Sequence, residues 1–153
     1  MLSVRKSKIK GAGKGLFTTS RIRKGDVIVE YKGEKMPWRK CLKRYGDDIH
    51  QARYIFYISE NNCVDAQNIT EALARYANDA EGFKKKAGLD NNSEYQVIRG
   101  KAYIVATKPI HPGSEIFVDY QREYWETLNE MLGERRRKIH HENKLKRNKV
   151  RQR

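Results

Sequence analysis

The apolar residues of this chain come in short runs rich in β-branched and aromatic side chains, each cut off by a turn signal, and this limits what the chain can fold into. Strand-like runs occupy residues 4–9, 15–18, 27–31, 54–59, 95–99, 101–107 and 115–118. The breaks between them include Lys24-Gly25-Asp26, Asn61-Asn62 and His111-Pro112-Gly113-Ser114. Arg99-Gly100, between two such runs, predicts a tight hairpin. Pro37 is placed to open a helix with Trp38, Leu42, Tyr45 and Ile49 along one face. Residues 70–76 read as a second short helix with Asn68 or Thr70 as its cap. A third begins at Tyr124 or Trp125 and ends near Gly133. Residues 81–92 read as an exposed loop. The expected fold is α+β, mostly β, built of short sheets, with a basic C-terminal helix or tail.

At 153 residues the chain is long enough for one domain with a real core. Its formal charge is +14, unevenly spread. Residues 133–153 hold ten Lys/Arg and two Glu, a net of +8, whereas residues 1–132 hold 23 basic and 17 acidic groups, a net of +6. Such a basic block either stays solvated or binds a polyanion by releasing counterions. No apolar run reaches the roughly 20 residues of a membrane span, and the N-terminus lacks the apolar stretch of a secretory signal. With only Cys41 and Cys63, a disulfide framework and a cysteine-rich zinc site are both excluded, and an intracellular, reducing location is expected. Gly11-Ala12-Gly13-Lys14-Gly15 has neither the spacing nor the following Ser/Thr of a phosphate-binding loop. The four histidines show no metal-ligand spacing, so no metal site is expected. Composition and spacing alone leave a basic α+β domain, for which cofactor-free nucleic-acid binding is one reading.

Four ordered segments carry more. They are Gly13-Lys14-Gly15-Leu16-Phe17-Thr18 with its continuation Ile22 to Glu34; Tyr54-Ile55-Phe56 with Val64-Asp65-Ala66; Ala74-Arg75-Tyr76-Ala77-Asn78-Asp79-Ala80; and Ile110 to Tyr120, ending Gly113-Ser114-Glu115-Ile116-Phe117-Val118-Asp119-Tyr120. In this order they resemble the motifs of the SET-domain family of protein lysine methyltransferases. With no cysteine-rich segment in it, the sequence is similar to the compact SET proteins of viruses and bacteria. The resemblance implies a SET catalytic domain over residues 1–132, with a variable insert at about 36–53 that shapes the substrate groove, and a basic tail over 133–153. It also implies that the segments around Asn78 and Tyr120 pack together as a pseudoknot.

The implied activity is methyl transfer from S-adenosylmethionine to the ε-amine of a protein lysine, leaving S-adenosylhomocysteine. Histone tails are the family's default substrate. Tyr120 would orient the acceptor amine, with Tyr95 and then Tyr54 completing the lysine channel. Lys14, Gly15, Leu16, Asn78, Asp79, Tyr120 and Trp125 would contact the cofactor. For Trp125 the alternative is an anchor of the last helix on the core. Asp79-Ala80 stands where the family has His-Ser. A second reading follows from that departure and the basic tail: a SET-like module with weak or no catalysis that docks on nucleic acid or chromatin. A DNA or nucleosome contact through 133–153 and a homodimer are the other expected associations, with no membrane.

Overall fold

The computed structural model describes residues 1–46, 53–82, 87–120 and 141. The chain divides into two compact units, Met1–Tyr120 and Gln121–Arg153. The first contains strands β1 (Leu2–Lys6), β2 (Lys14–Thr18), β3 (Val27–Glu30), β4 (Glu34–Met36), β5 (Ile55–Ser59), β6 (Asn62–Asp65), β7 (Ser93–Ile98), β8 (Lys101–Ala106), β9 (Glu115–Ile116) and β10 (Val118–Asp119). Its described residues also include helix α1 (Trp38–Tyr45) and a 3₁₀ turn, Leu73–Tyr76. The strands make three small sheets, ordered β1-β2-β9, β10-β7-β8-β3 and β4-β6-β5. This is the α+β, mostly β architecture expected.

Strand patterning follows position in the sheet. β2 lies between β1 and β9, and its Leu16, Phe17 and Thr18 are all buried. β8 sends Ala102, Ile104 and Ala106 into the core, while on its other face Lys101 is exposed, Tyr103 half-buried and Val105 buried. Leu16, Ile104, Ile116 and Val118 are completely buried and bring the first two sheets together around one core. The expected hairpin forms: Ile98 pairs with Lys101, and Arg99 and Gly100 both take left-handed φ, +49° and +72°, as a type I′ turn requires. The hairpin implied around 54–56 and 64–66 is also present, as β5 paired with β6.

Four local expectations are corrected. The first strand ends at Lys6, not residue 9, because the chain turns into a loop closed by Ser7 N–H on Gly13 C=O (2.8 Å). The 70–76 helix is only the 3₁₀ turn, and neither Asn68 nor Thr70 caps it. It stops there because Ala77 must be extended for Asn78 to pair with Phe117. In α1, Leu42 is 49% exposed while Cys41 is buried against Met36 and Cys63. The inward face is set by Cys41 and Tyr45, four residues apart, so Leu42 is turned about 100° away. Residues 81–92 are not uniformly an exposed loop: Asn91 and Asn92 are partly buried. Ile49, the third helix with Tyr124 and Trp125, and 133–153 apart from His141 lie outside the described residues.

Candidate active site

The site is organised by one threaded segment. Residues 115–119 pair with β2 on one side, through β9, and with β7 on the other, through β10. Phe117 also forms a parallel bridge to Asn78, and Val118 N–H donates to Asn78 C=O at 2.9 Å. The segments around Asn78 and Tyr120 therefore pack together as the motifs implied.

Glu115, 1% exposed, stands at the centre of this junction. Its carboxylate accepts from Ser7 Oγ (2.7 Å), Lys8 N–H (2.7 Å) and Asn78 Nδ2 (3.4 Å). A buried carboxylate with several donors is stable where a bare one would not be. Asn78 Nδ2 also donates to Lys14 C=O at 2.9 Å. One carboxylate and one carboxamide thus tie the 7–15 loop to the threaded strand. A side chain on Gly15 would overlap the Glu115 carboxylate and press on Ser7 Cα at 3.2 Å, so Gly15 is needed for close packing inside the protein. Leu16 is wholly buried, and its backbone pairs with Val4 on one side and Ile116 on the other. Lys14 is exposed, with Nζ 5.7 Å from the Tyr76 ring centre.

Asp79, next to Asn78, is a second hub. Its Oδ1 accepts from Glu81 N–H (2.8 Å), Gly82 N–H (3.1 Å) and Asn91 Nδ2 (2.8 Å). Its Oδ2 accepts from Tyr120 N–H at 3.1 Å. The Tyr120 hydroxyl donates to Ala77 C=O at 2.6 Å. Asn91 and Asn92 act as a double clamp. Asn91 Oδ1 receives Ala80 N–H, while Asn92 Oδ1 receives Phe117 N–H and its Nδ2 donates to Glu115 C=O.

Aromatic rings wall the other side. Tyr120 stacks on Tyr95 with centroids 6.2 Å apart. Tyr95 also meets Phe56 at 4.7 Å and Tyr31 at 6.0 Å. Tyr31 is held by its hydroxyl on Tyr54 C=O (3.0 Å). The Tyr54 ring lies under the Arg75 guanidinium at 3.9 Å and packs against the same core cluster as Tyr95 and Tyr120. Tyr120, Tyr95, Asn78, Asp79, Lys14 and Gly15 are thus connected through direct contacts or adjacency in the chain, and Trp125 lies outside the described residues. Among the described residues, no group of three or more His, Cys, Asp or Glu could hold a metal ion.

Helix α1 is fixed to the β4-β6-β5 sheet by charge. Arg44 bridges Glu34 (2.7 Å) and Asp65 (2.9 Å), and the Tyr45 hydroxyl donates to Asp65. Arg44 holds the Glu34 carboxyl below its usual range. Burial, then the Asp65 carboxylate, pushes the Tyr45 phenol up. Burial, then neighbouring Cys63, pushes the Cys41 thiol up to about 11.

Sequence reasoning missed the roles of Glu115, Asn91, Asn92, Tyr31 and Phe56 at this junction. Glu115, Phe56 and Tyr31 lie within the motif segments but carry no local mark of their roles, and the two asparagines end a segment whose Lys and Gly content reads as loop.

The SET domain model matches residues 13–121, and the chain belongs to the SET-domain family. It is 30% identical over 120 residues to N-lysine methyltransferase KMT5A-A of Danio rerio, covering 73% of this chain and 33% of that protein. It is 27% identical over 137 residues to histone-lysine N-methyltransferase set-1 of Caenorhabditis elegans, covering 84% of this chain and 53% of that one. Among solved structures it is similar to ctPRC2 in complex with H3K27me3 and H3K27M, with TM-score 0.63 and 26% identity over 79% of this chain and 14% of that one. The chain spans about a third of the length of the KMT5A relatives it matches.

Proposed function

We propose that the chain is an S-adenosylmethionine-dependent protein-lysine N-methyltransferase acting on lysines of histones or other basic proteins. The observation that carries this reading is the Tyr120 phenol. It donates to Ala77 C=O one residue from Asn78 and stacks on Tyr95. Methyl transfer to an amine is an in-line displacement that needs a neutral nitrogen about 3 Å from the methyl carbon, with water kept out. S-adenosylmethionine, when bound, supplies an activated methyl group on a sulfonium leaving group.

The chain's own residues fit that task. Among the described residues no donor meets Asn78 Oδ1, whose amide nitrogen is already committed to Lys14 C=O and Glu115. That oxygen is an acceptor for the cofactor's α-ammonium, beside the backbone of Lys14, Gly15 and Leu16. With its O–H donated to Ala77 C=O, the Tyr120 oxygen acts toward the acceptor amine as a hydrogen-bond acceptor, and in that role it aims the nitrogen lone pair. Tyr95 and Phe56 give that amine an apolar, aromatic wall, which favours the neutral nucleophile over the ammonium and attracts the methylammonium product by its ring faces. Histone lysines are proposed because two of the similar proteins are named N-lysine and histone-lysine methyltransferases. The +8 of residues 133–153 supports attachment to DNA or a nucleosome carrying that histone. Two free, buried cysteines are in keeping with a reducing, intracellular location.

The test is methyl incorporation from labelled cofactor into core histones by wild type and Tyr120→Phe. Wild type is expected to label histone, and the variant to do so at least about 100-fold more slowly. Equal rates contradict the role of Tyr120, and no labelling by either contradicts the activity.

A further inference from the structure

We infer that Asp79 is the positioning residue of Tyr120, in a role its carboxylate takes on through the side chain rather than the backbone. The inference rests on the reading of Tyr120 given above. Tyr120 is tied twice to one three-residue segment: its hydroxyl donates to Ala77 C=O and its N–H to Asp79 Oδ2. Asn78, between the two, holds the Lys14 backbone. Ala77, Asn78 and Asp79 thus set the phenol, the 7–15 loop and the Tyr120 backbone relative to one another within three residues.

The two oxygens of Asp79 have separate duties. Oδ1 is held by the Glu81 and Gly82 amides and by Asn91 Nδ2, all between 2.8 and 3.1 Å, which fixes the plane of the carboxylate. Oδ2 is thereby aimed at Tyr120 N–H. Asp79 is 9% exposed, so little water competes for these bonds. A carboxylate suits the position because the Glu81, Gly82 and Tyr120 amides and Asn91 Nδ2 are all donors. An imidazole there offers at most one acceptor and cannot meet both sets.

That division makes Asp79→Asn a selective probe. Three donors keep the amide oxygen at the Oδ1 position, so the –NH₂ falls opposite Tyr120 N–H, donor against donor. The cap over Glu81 and Gly82 survives and the Tyr120 tether is lost. Asp79→Ser is the second variant: its hydroxyl still caps the 81–82 amides but is too short to reach Tyr120. Displacing a reacting group by about 1 Å costs about 100-fold in rate.

Two measurements are made on the full chain carrying 3-fluorotyrosine at position 120. The first is kcat for methyl transfer beside affinity for S-adenosylhomocysteine by calorimetry. The second is the ¹⁹F spectrum of residue 120, which needs no turnover. Expected for Asp79→Asn and Asp79→Ser are a kcat lower by about 10- to 100-fold with nearly unchanged affinity, and a single sharp ¹⁹F line in wild type that splits or broadens in both variants. An unchanged ¹⁹F line in the variants overturns the positioning role. Loss of affinity and kcat together, in equal measure, overturns it in favour of a purely structural one. An inactive wild type whose ¹⁹F line still responds to Asp79 counts against the enzymatic reading of Tyr120 and leaves the tether standing.

Discussion

Glu115 shows how much one side chain decides here. It is buried, it faces three donors, and its nearest neighbour on one side is a residue without a Cβ. Glu115→Gln sets an amide –NH₂ against donors and is expected to cost about 1–3 kcal/mol in urea unfolding. Gly15→Ala forces the same neighbour aside and is expected to cost about 1–3 kcal/mol. Because the two share one contact, Gly15→Ala combined with Glu115→Ala should cost clearly less than the sum of the two singles; strict additivity would show that the packing does not couple them. Tyr120 and Asn78 were legible because each sits in a contiguous motif. Glu115 as a hub was not, since Ser7 and Lys8 lie more than a hundred residues away and only the fold brings them near. Asp79 read as a departure from a pattern, and only its four donors reveal what the carboxylate does.

At the scale of elements, α1 is placed by its ends and its anchors rather than by an apolar stripe. Trp38 N–H is satisfied by Glu60 C=O (2.8 Å), and Gly46 closes the other end on Leu42 C=O (2.8 Å). Cys41, Arg44 and Tyr45 then bind it to β4 and β6. Counting apolar residues at helical spacing selected Leu42 for the inner face, while a cysteine and an Arg–Asp–Tyr network settle the phase. A raised thiol pKa in the fold means that the folded state favours the protonated form. Its contribution is complete below the ordinary thiol value of 9.0 and is lost as pH rises through about 11. The melting temperature is therefore expected to fall between pH 9 and 11, and to fall less steeply in Cys41→Ala, whose baseline is lower. An identical slope in the variant would contradict the assignment. In the native state at pH 8, neither thiol should react with an aromatic disulfide reagent until denaturant is added. The hairpin at Arg99-Gly100 was readable because its turn chemistry is local, whereas the 3₁₀ turn before Asn78 is cut short by a bridge to Phe117, a partner distant in sequence.

For the molecule as a whole, the charge divides as its sequence does. Residues 1–132 carry +6 and residues 133–153 carry +8. Removing residues 134–153 is expected to leave S-adenosylhomocysteine affinity unchanged and to weaken DNA binding, with a flatter dependence of log affinity on log salt. Loss of cofactor affinity in the truncated protein would place the tail within the fold. The fold class was legible from short runs and turns alone. The threading of residues 115–119 between two sheets was legible only through family resemblance, because such pairings carry no local periodicity. The central claim, that this junction transfers a methyl group to a lysine amine, is tested most directly by hydrolysing labelled histone and identifying the modified amino acid. Label is expected in ε-N-methyllysine for wild type and almost none for Tyr120→Phe; label in any other residue, or in methyllysine at equal levels from both proteins, would contradict that role.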